Sequence, residues 1–146
     1  MSDKNIILIG IDPGVKTGFS TICNNEKNAI TLSIHNALNY VEKLMHEHKQ
    51  VHLRVEDARQ RKWFGPNSSA KAQGAGSIKR DCKIWDDFLT ELSKKKDTNL
   101  TFEMIHPIKG GTKIDKVLFK KISGITKVTS EHARDAYMLI HNYNKK

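Results

Sequence analysis

From Ile6 to Ile11 the chain is almost unbroken in β-branched residues and leucine, a pattern that predicts a buried strand. Asp12-Pro13-Gly14 ends it. Polar and apolar positions then alternate from Gly18 to Cys23, Asn24-Asn25 offers a turn, and Ala29 to Leu32 predicts a third strand. Three such strands in succession predict an antiparallel meander. Ser33 is placed to cap a helix whose apolar stripe is Ile34, Ala37, Leu38, Val41, Leu44 and Met45. His52 to Glu56 predicts the next strand.

Arg59 to Lys71 reads as a mobile loop, because Gly65, Pro66, Asn67 and two serines interrupt any period. It is rich in basic residues and holds the exposed-type pair Trp63-Phe64. Ile78, Cys82, Trp85, Leu89 and Leu92 recur every three or four positions, so a long helix follows. Lys94-Lys95-Lys96 near its end suits the negative pole of the helix. Leu100 to Ile105 alternates as a fifth strand, and Pro107 to Thr112 is a Gly-rich turn. Lys113 to Ile122 predicts a short basic helix ended by Gly124. A last helix starts at Thr129 or Ser130 and runs to about Tyr143.

The order βββαβαβαα predicts an α/β protein, a central sheet covered by helices. With 146 residues and no linker, residues 1–146 are expected to form a single domain. Hydrophobic content of 38% and charged content of 28% are those of a globular protein. A formal charge of +9 points to a polyanionic partner such as nucleic acid. Cys23 and Cys82 have no CxxC spacing, which argues against a zinc site or a disulfide scaffold. The start lacks the apolar run of a signal peptide, and no segment approaches the roughly 18 apolar residues of a membrane span. A cytoplasmic protein with no membrane partner is expected.

Against that basic background, four side chains stand at the ends of elements: Asp12, Glu56, His132 and Asp135. Asp12 and Glu56 each close an apolar strand, where an open α/β sheet presents its chemistry. His132 and Asp135 are three apart on a predicted helix and share a face, with Glu131 close by. Hard oxygen donors with at most one imidazole suit Mg²⁺ or Mn²⁺ better than zinc. Two such ions about 3.5–4 Å apart clamp a phosphodiester during cleavage. Each residue alone has an ordinary explanation. An Asp before Pro-Gly forms turns, a Glu at a strand end is solvated, and acidic residues favour the first turn of a helix. The joint pattern tips the balance, because a carboxylate at the end of an apolar strand is costly unless something pairs with it.

At these residues the chain resembles the RuvC family of Holliday junction resolvases. Ile11-Asp12-Pro13-Gly14 followed by Thr17-Gly18 is similar to the family's opening motif, and Val55-Glu56 to its second acidic position. Asn67-Ser68-Ser69-Ala70 and Gln73-Gly74-Ala75-Gly76 resemble the approach to its central helix. Pro107, Lys109-Gly110-Gly111-Thr112-Lys113 and Asp115-Lys116-Val117 resemble its basic segment. His132-Ala133-Arg134-Asp135-Ala136 is similar to its C-terminal motif with His at the third metal position. The basic segment after Glu56 is longer than in bacterial members, and the chain is short at its end. On that resemblance, a divergent member of the kind a phage or mobile element would carry in a bacterial host is expected.

The resemblance implies an RNase H-like fold with a five-stranded mixed sheet, three antiparallel strands and then two parallel ones. It also implies a homodimer, two Mg²⁺ ions per site (with Mn²⁺ substituting), and paired nicks across a four-way DNA junction that leave 5′-phosphate and 3′-hydroxyl ends. Asp12 would bridge the ions, Glu56 and Asp135 would complete one each, and His132 would ligate or orient water. Lys109, Lys113 and Lys116 would meet phosphates. In the preceding basic loop Arg59, Arg61 and Lys62 are expected at DNA, and Trp63 or Phe64 would stack on a base or wedge into the junction.

Three alternatives stay open. An Asp-x-Gly strand end also opens the phosphate loop of actin-like ATPases and sugar kinases, but those need two lobes. An RNase H-like nuclease acting on RNA or on other branched DNA, as in the YqgF-type relatives, has an overlapping metal set. A non-catalytic nucleic-acid-binding module would gain nothing from clustering negative charge near phosphates.

Overall fold

The computed structural model describes residues 6–60, 68–107, 114–127 and 129–143, with the backbone alone over 68–75. Strands β1 (Ile6–Asp12), β2 (Lys16–Cys23), β3 (Glu26–Ser33), β4 (Gln50–Glu56) and β5 (Leu100–Ile105) make one sheet in the order β3-β2-β1-β4-β5. β1, β2 and β3 are antiparallel neighbours, whereas β4 runs parallel to β1 and β5 parallel to β4. This is the mixed, RNase H-like sheet anticipated from the sequence. Four helices accompany it: α1 (Ile34–Glu47), α2 (Ser68–Ser93), α3 (Lys116–Ser123) and α4 (Glu131–Met138).

Alternation along the strands sorts side chains between two layers. Ile7, Ile9, Ile11, Val51, Leu53 and Val55 face α1 and α2, where Ala37, Val41, Leu44, Trp85, Leu89 and Leu92 close over them. Leu53, Trp85 and Leu89 have no exposed surface, and burying each such side chain contributes about 1.5–3 kcal/mol. On the other face Phe119 of α3 and Tyr137 of α4 meet edge-to-face, ring centroids 5.3 Å apart, in a second core with Ala29, Ile125 and Ala133. Many sheet residues on this second face are small or polar: Gly10, Asp12, Gly18 and Ser20, then His52, Arg54 and Glu56. The Asn24-Asn25 turn joins β2 to β3 at the sheet end opposite Asp12, with Asn24 at φ 58°.

The helix ends follow local chemistry. Ser33 caps α1 through Asn36, Asp115 caps α3 through Leu118, and Ser130 caps α4 through Ala133. Several boundaries differ from expectation, among them the start of α3, which begins at Lys116 after its Asp115 cap rather than at Lys113. The segment from Ser68 to Lys71 is helical, the first turn of α2, rather than loop, and Ala58–Gln60 forms a 3₁₀ turn. The lysines at 94–96 lie just past the end of α2 at Ser93. α4 stops at Met138 rather than near Tyr143, because the chain tightens through Leu139 and Ile140 and Asn142 takes a left-handed conformation at φ 60°. Tyr143 is thereby turned back onto β5, where its hydroxyl donates to Glu103 at 3.0 Å. Ile78, placed in the apolar stripe of α2, is 38% exposed, while Cys82, Trp85, Leu89 and Leu92 are buried. No helix among the described residues is long and apolar enough to cross a membrane.

Candidate metal centre

Asp12 and Glu56 reach one place because their strands are parallel neighbours. Ile11 pairs with Val55, so the two acids stand side by side one residue further on, facing the α4 layer. α4 is then laid almost directly on β1 and β2. A Cβ at Gly10 would overlap the carbonyl oxygen of Ala136, and one at Gly18 would overlap that of His132. Only glycine allows a helix backbone this close to a sheet. The approach delivers His132 and Asp135, one turn apart, to the Asp12 end of β1.

Both ends of α4 are fastened. At its start the hydroxyls of Thr31 and Ser130 are hydrogen-bonded. The buried Arg134 donates to the carbonyls of Thr129 at 2.7 Å and Ile114 at 3.2 Å. Just past its end Arg54 of β4 donates to the carbonyl of Leu139 at 2.7 Å, a cation at the negative pole of the helix. β4 thus supplies Glu56 to the site and, two residues earlier, a brace for the helix that supplies the other half.

The electrostatics centre on Asp12, whose side chain is only 15% exposed. Burial and the like charge of Glu56 push its carboxyl up to about 7, with Asp135 adding to the rise. The protonated carboxyl donates to Glu56, which raises it further, while a hydrogen bond from His132 Nδ1, 3.2 Å away, pulls it back. The four residues expected to form the site are therefore all within electrostatic reach of Asp12. Glu131 is exposed in the first turn of α4, and it is His132 that bonds to Asp12.

Hard oxygen donors crowded on a basic chain fit a divalent cation, which would neutralise the repulsion that holds a proton on Asp12. Among the described residues, no three His, Cys, Asp or Glu side chains already surround one point at coordinating distance. Asp12 is instead hydrogen-bonded to His132 and Glu56, and holding a cation there would require its carboxyl to release its proton.

The chain matches no protein-family model, and no curated protein is significantly similar to it.

The residues expected at DNA are distributed unevenly. Lys116 is exposed at the first turn of α3, with Lys120 and Lys121 on the same short helix. Arg61, Lys62, Trp63, Phe64, Lys109 and Lys113 lie outside the described residues. Arg59 is described, and its guanidinium is turned inward to Asp57 and Asp86 rather than outward. Three contributors escaped the sequence reading: the Gly10 and Gly18 contacts, the Arg54 brace, and the Asp57–Arg59–Asp86 group. Only Arg54 left a signal, since it shares the parity of Glu56 in an alternating strand.

Proposed function

We propose that this protein is a metal-dependent, structure-selective endonuclease that nicks four-way DNA junctions in pairs as a homodimer. One observation carries the reading. Asp12, Glu56, His132 and Asp135 come from three separate stretches of a chain of charge +9, yet they gather so closely that burial and like charge raise Asp12 to about 7. A binding module for an anionic backbone gains nothing from concentrating negative charge in this way.

Mg²⁺ bound among such residues acidifies water and neutralises charge on the phosphate and its leaving oxygen. The chain's own part is positional. Asp12, which feels the charge of both other acids, would hold the metal together with Glu56 from a strand and Asp135 from a helix. His132 Nδ1 is hydrogen-bonded to Asp12, and in the tautomer that donates there Nε2 would be left as an acceptor, suited to holding a water for in-line attack. The basic side chains of α3 would hold the flanking backbone.

The test is cleavage of a four-way junction, a flap, a duplex and an RNA by the full chain in Mg²⁺, mapped to the nucleotide beside Asp12→Asn. Paired symmetric nicks on the junction, absent with Asp12→Asn, are expected. Tight junction binding without nicking of any substrate would replace the nuclease with a non-catalytic binder, and preferential cleavage of flap or RNA would move the substrate class.

A further inference from the structure

Immediately after Glu56 the chain leaves the sheet through a turn fastened to the helix layer on the opposite side. The backbone N–H of Asp57 donates to the carbonyl of Ile105 at 2.7 Å, adding a rung beyond the last strand pair. The Asp57 side chain is buried and accepts a fork from Arg59: Nε to Oδ1 at 2.7 Å and Nη2 to Oδ2 at 2.8 Å. The backbone N–H of Arg59 and the side-chain amide of Gln60 also donate to this carboxylate, at 3.1 and 3.3 Å. Nη2 of Arg59 donates again, at 2.9 Å, to Asp86 of α2, which receives the Thr90 hydroxyl on its other oxygen at 3.3 Å. One turn earlier on α2, the buried Cys82 thiol lies 3.8 Å from the carbonyl oxygen of Glu56 itself and donates to it.

We propose that Arg59 is a positioning residue for the metal centre: it clips the turn after Glu56 to α2, so that the Glu56 carboxylate stays beside Asp12. The inference rests on the metal-centre reading and departs from the expectation that Arg59 meets DNA. The geometry carries it. A strand end frays unless something holds it, and a site of this kind needs its groups held within about 0.5 Å. The planar guanidinium serves two carboxylates at once, a role the point charge of lysine cannot fill. A guanidinium with its charge already answered by Asp57 and Asp86 has little left for a phosphate.

The experiment uses the full chain as Arg59→Ala, Arg59→Lys, Asp86→Asn and the Arg59→Ala/Asp86→Asn double variant. The salt dependence of four-way junction binding is measured in EDTA, and Mn²⁺ affinity by electron paramagnetic resonance without DNA. Expected are an unchanged salt slope and Mn²⁺ binding weakened about 5-fold or more in Arg59→Ala, no better in Arg59→Lys, and about 3-fold in Asp86→Asn. The double variant should be no weaker than Arg59→Ala, because the two residues act through one link. Asp86→Asn removes a charge without emptying space and keeps the test open should Arg59→Ala fold poorly. A slope reduced by about one in Arg59→Ala, with Mn²⁺ affinity intact, is the signature of a phosphate contact and overturns the proposal. Wild-type protein that shows this Mn²⁺ dependence but nicks nothing would overturn the nuclease reading alone. Wild-type protein that binds no Mn²⁺ would overturn the metal centre and this inference with it.

Discussion

His132 Nδ1 and Asp12 Oδ2 are hydrogen-bonded at 3.2 Å, joining two residues 120 positions apart in the chain. The bond opposes burial and the neighbouring carboxyls, which together leave Asp12 at about 7. Asp12→Asn keeps the shape and removes the charge. It should abolish Mg²⁺-dependent cleavage while preserving junction binding, as read by nicking and gel-shift assays on one preparation. Full nicking activity in Asp12→Asn would remove Asp12 from the centre.

The same carboxyl sets a pH dependence. Its folded pKa lies above its ordinary value of 3.8, so its contribution to stability is fully present below pH 4 and is lost as pH rises towards about 7. Metal-free protein should thus be less stable at pH 8 than at pH 5 from this group, by up to a few kcal/mol. Asp12→Asn should erase most of that difference in urea titrations run in EDTA. Because metal must displace the proton, Mg²⁺ affinity should climb between pH 6 and 8 with proton release, which calorimetry in buffers of different ionisation heat would detect. A flat affinity over that range would contradict the shift.

Gly18→Ala places a methyl group where the carbonyl oxygen of His132 already sits. Nothing on either backbone can swing away, so the helix must lift. The expected loss is about 2–4 kcal/mol in urea unfolding, together with loss of nicking as His132 moves from Asp12. A change below about 0.5 kcal/mol would mean that α4 does not lie as close as described.

Arg54→Ala removes the donor to the Leu139 carbonyl and the cation stacked 4.3 Å over the Tyr143 ring. Nε of Arg54 lies 3.4 Å from Glu103 but is not aligned to donate, so the carbonyl bond and the stacking carry the effect. A loss of about 1–3 kcal/mol is expected. Faster amide exchange confined to residues 136–143 would locate it.

Lys116→Gln should weaken junction binding and flatten its salt slope by about one, with fold stability unchanged, because the side chain is exposed at the start of α3. An unaltered slope would take Lys116 off the DNA path.

Much of the architecture could be read in advance, for physical reasons that can be named. β1 announced itself as a run of Ile and Leu because helices cover both of its faces, and β4 by the alternation Val51, Leu53, Val55 against His52, Arg54, Glu56. The meander and its partner strands followed from turn residues. The start of α2 was hidden because Gly, Ser and Asn near residue 67 carry poor helix propensity, and the backbone is helical from Ser68 regardless. The end of α4 was hidden because Leu139 and Ile140 continue the apolar period while the hydrogen bonds do not. Of the site, the four chemical residues could be picked from element ends. Arg59 was expected at DNA, because an arginine in a polar stretch looks like an anion contact, and its bond to Asp86, 27 residues away, left no trace in the sequence.

The Asn24-Asn25 turn lies a full strand from Asp12, roughly 20 Å at the rise of extended chain. A fluorophore or affinity handle attached at Asn25 would ride clear of the candidate centre. Asn24, already in a conformation that glycine also favours, would accept a short Gly-containing tether with little strain. Immobilised by that corner, the molecule would turn its opposite rim, with Asp12 and Glu56, away from the support.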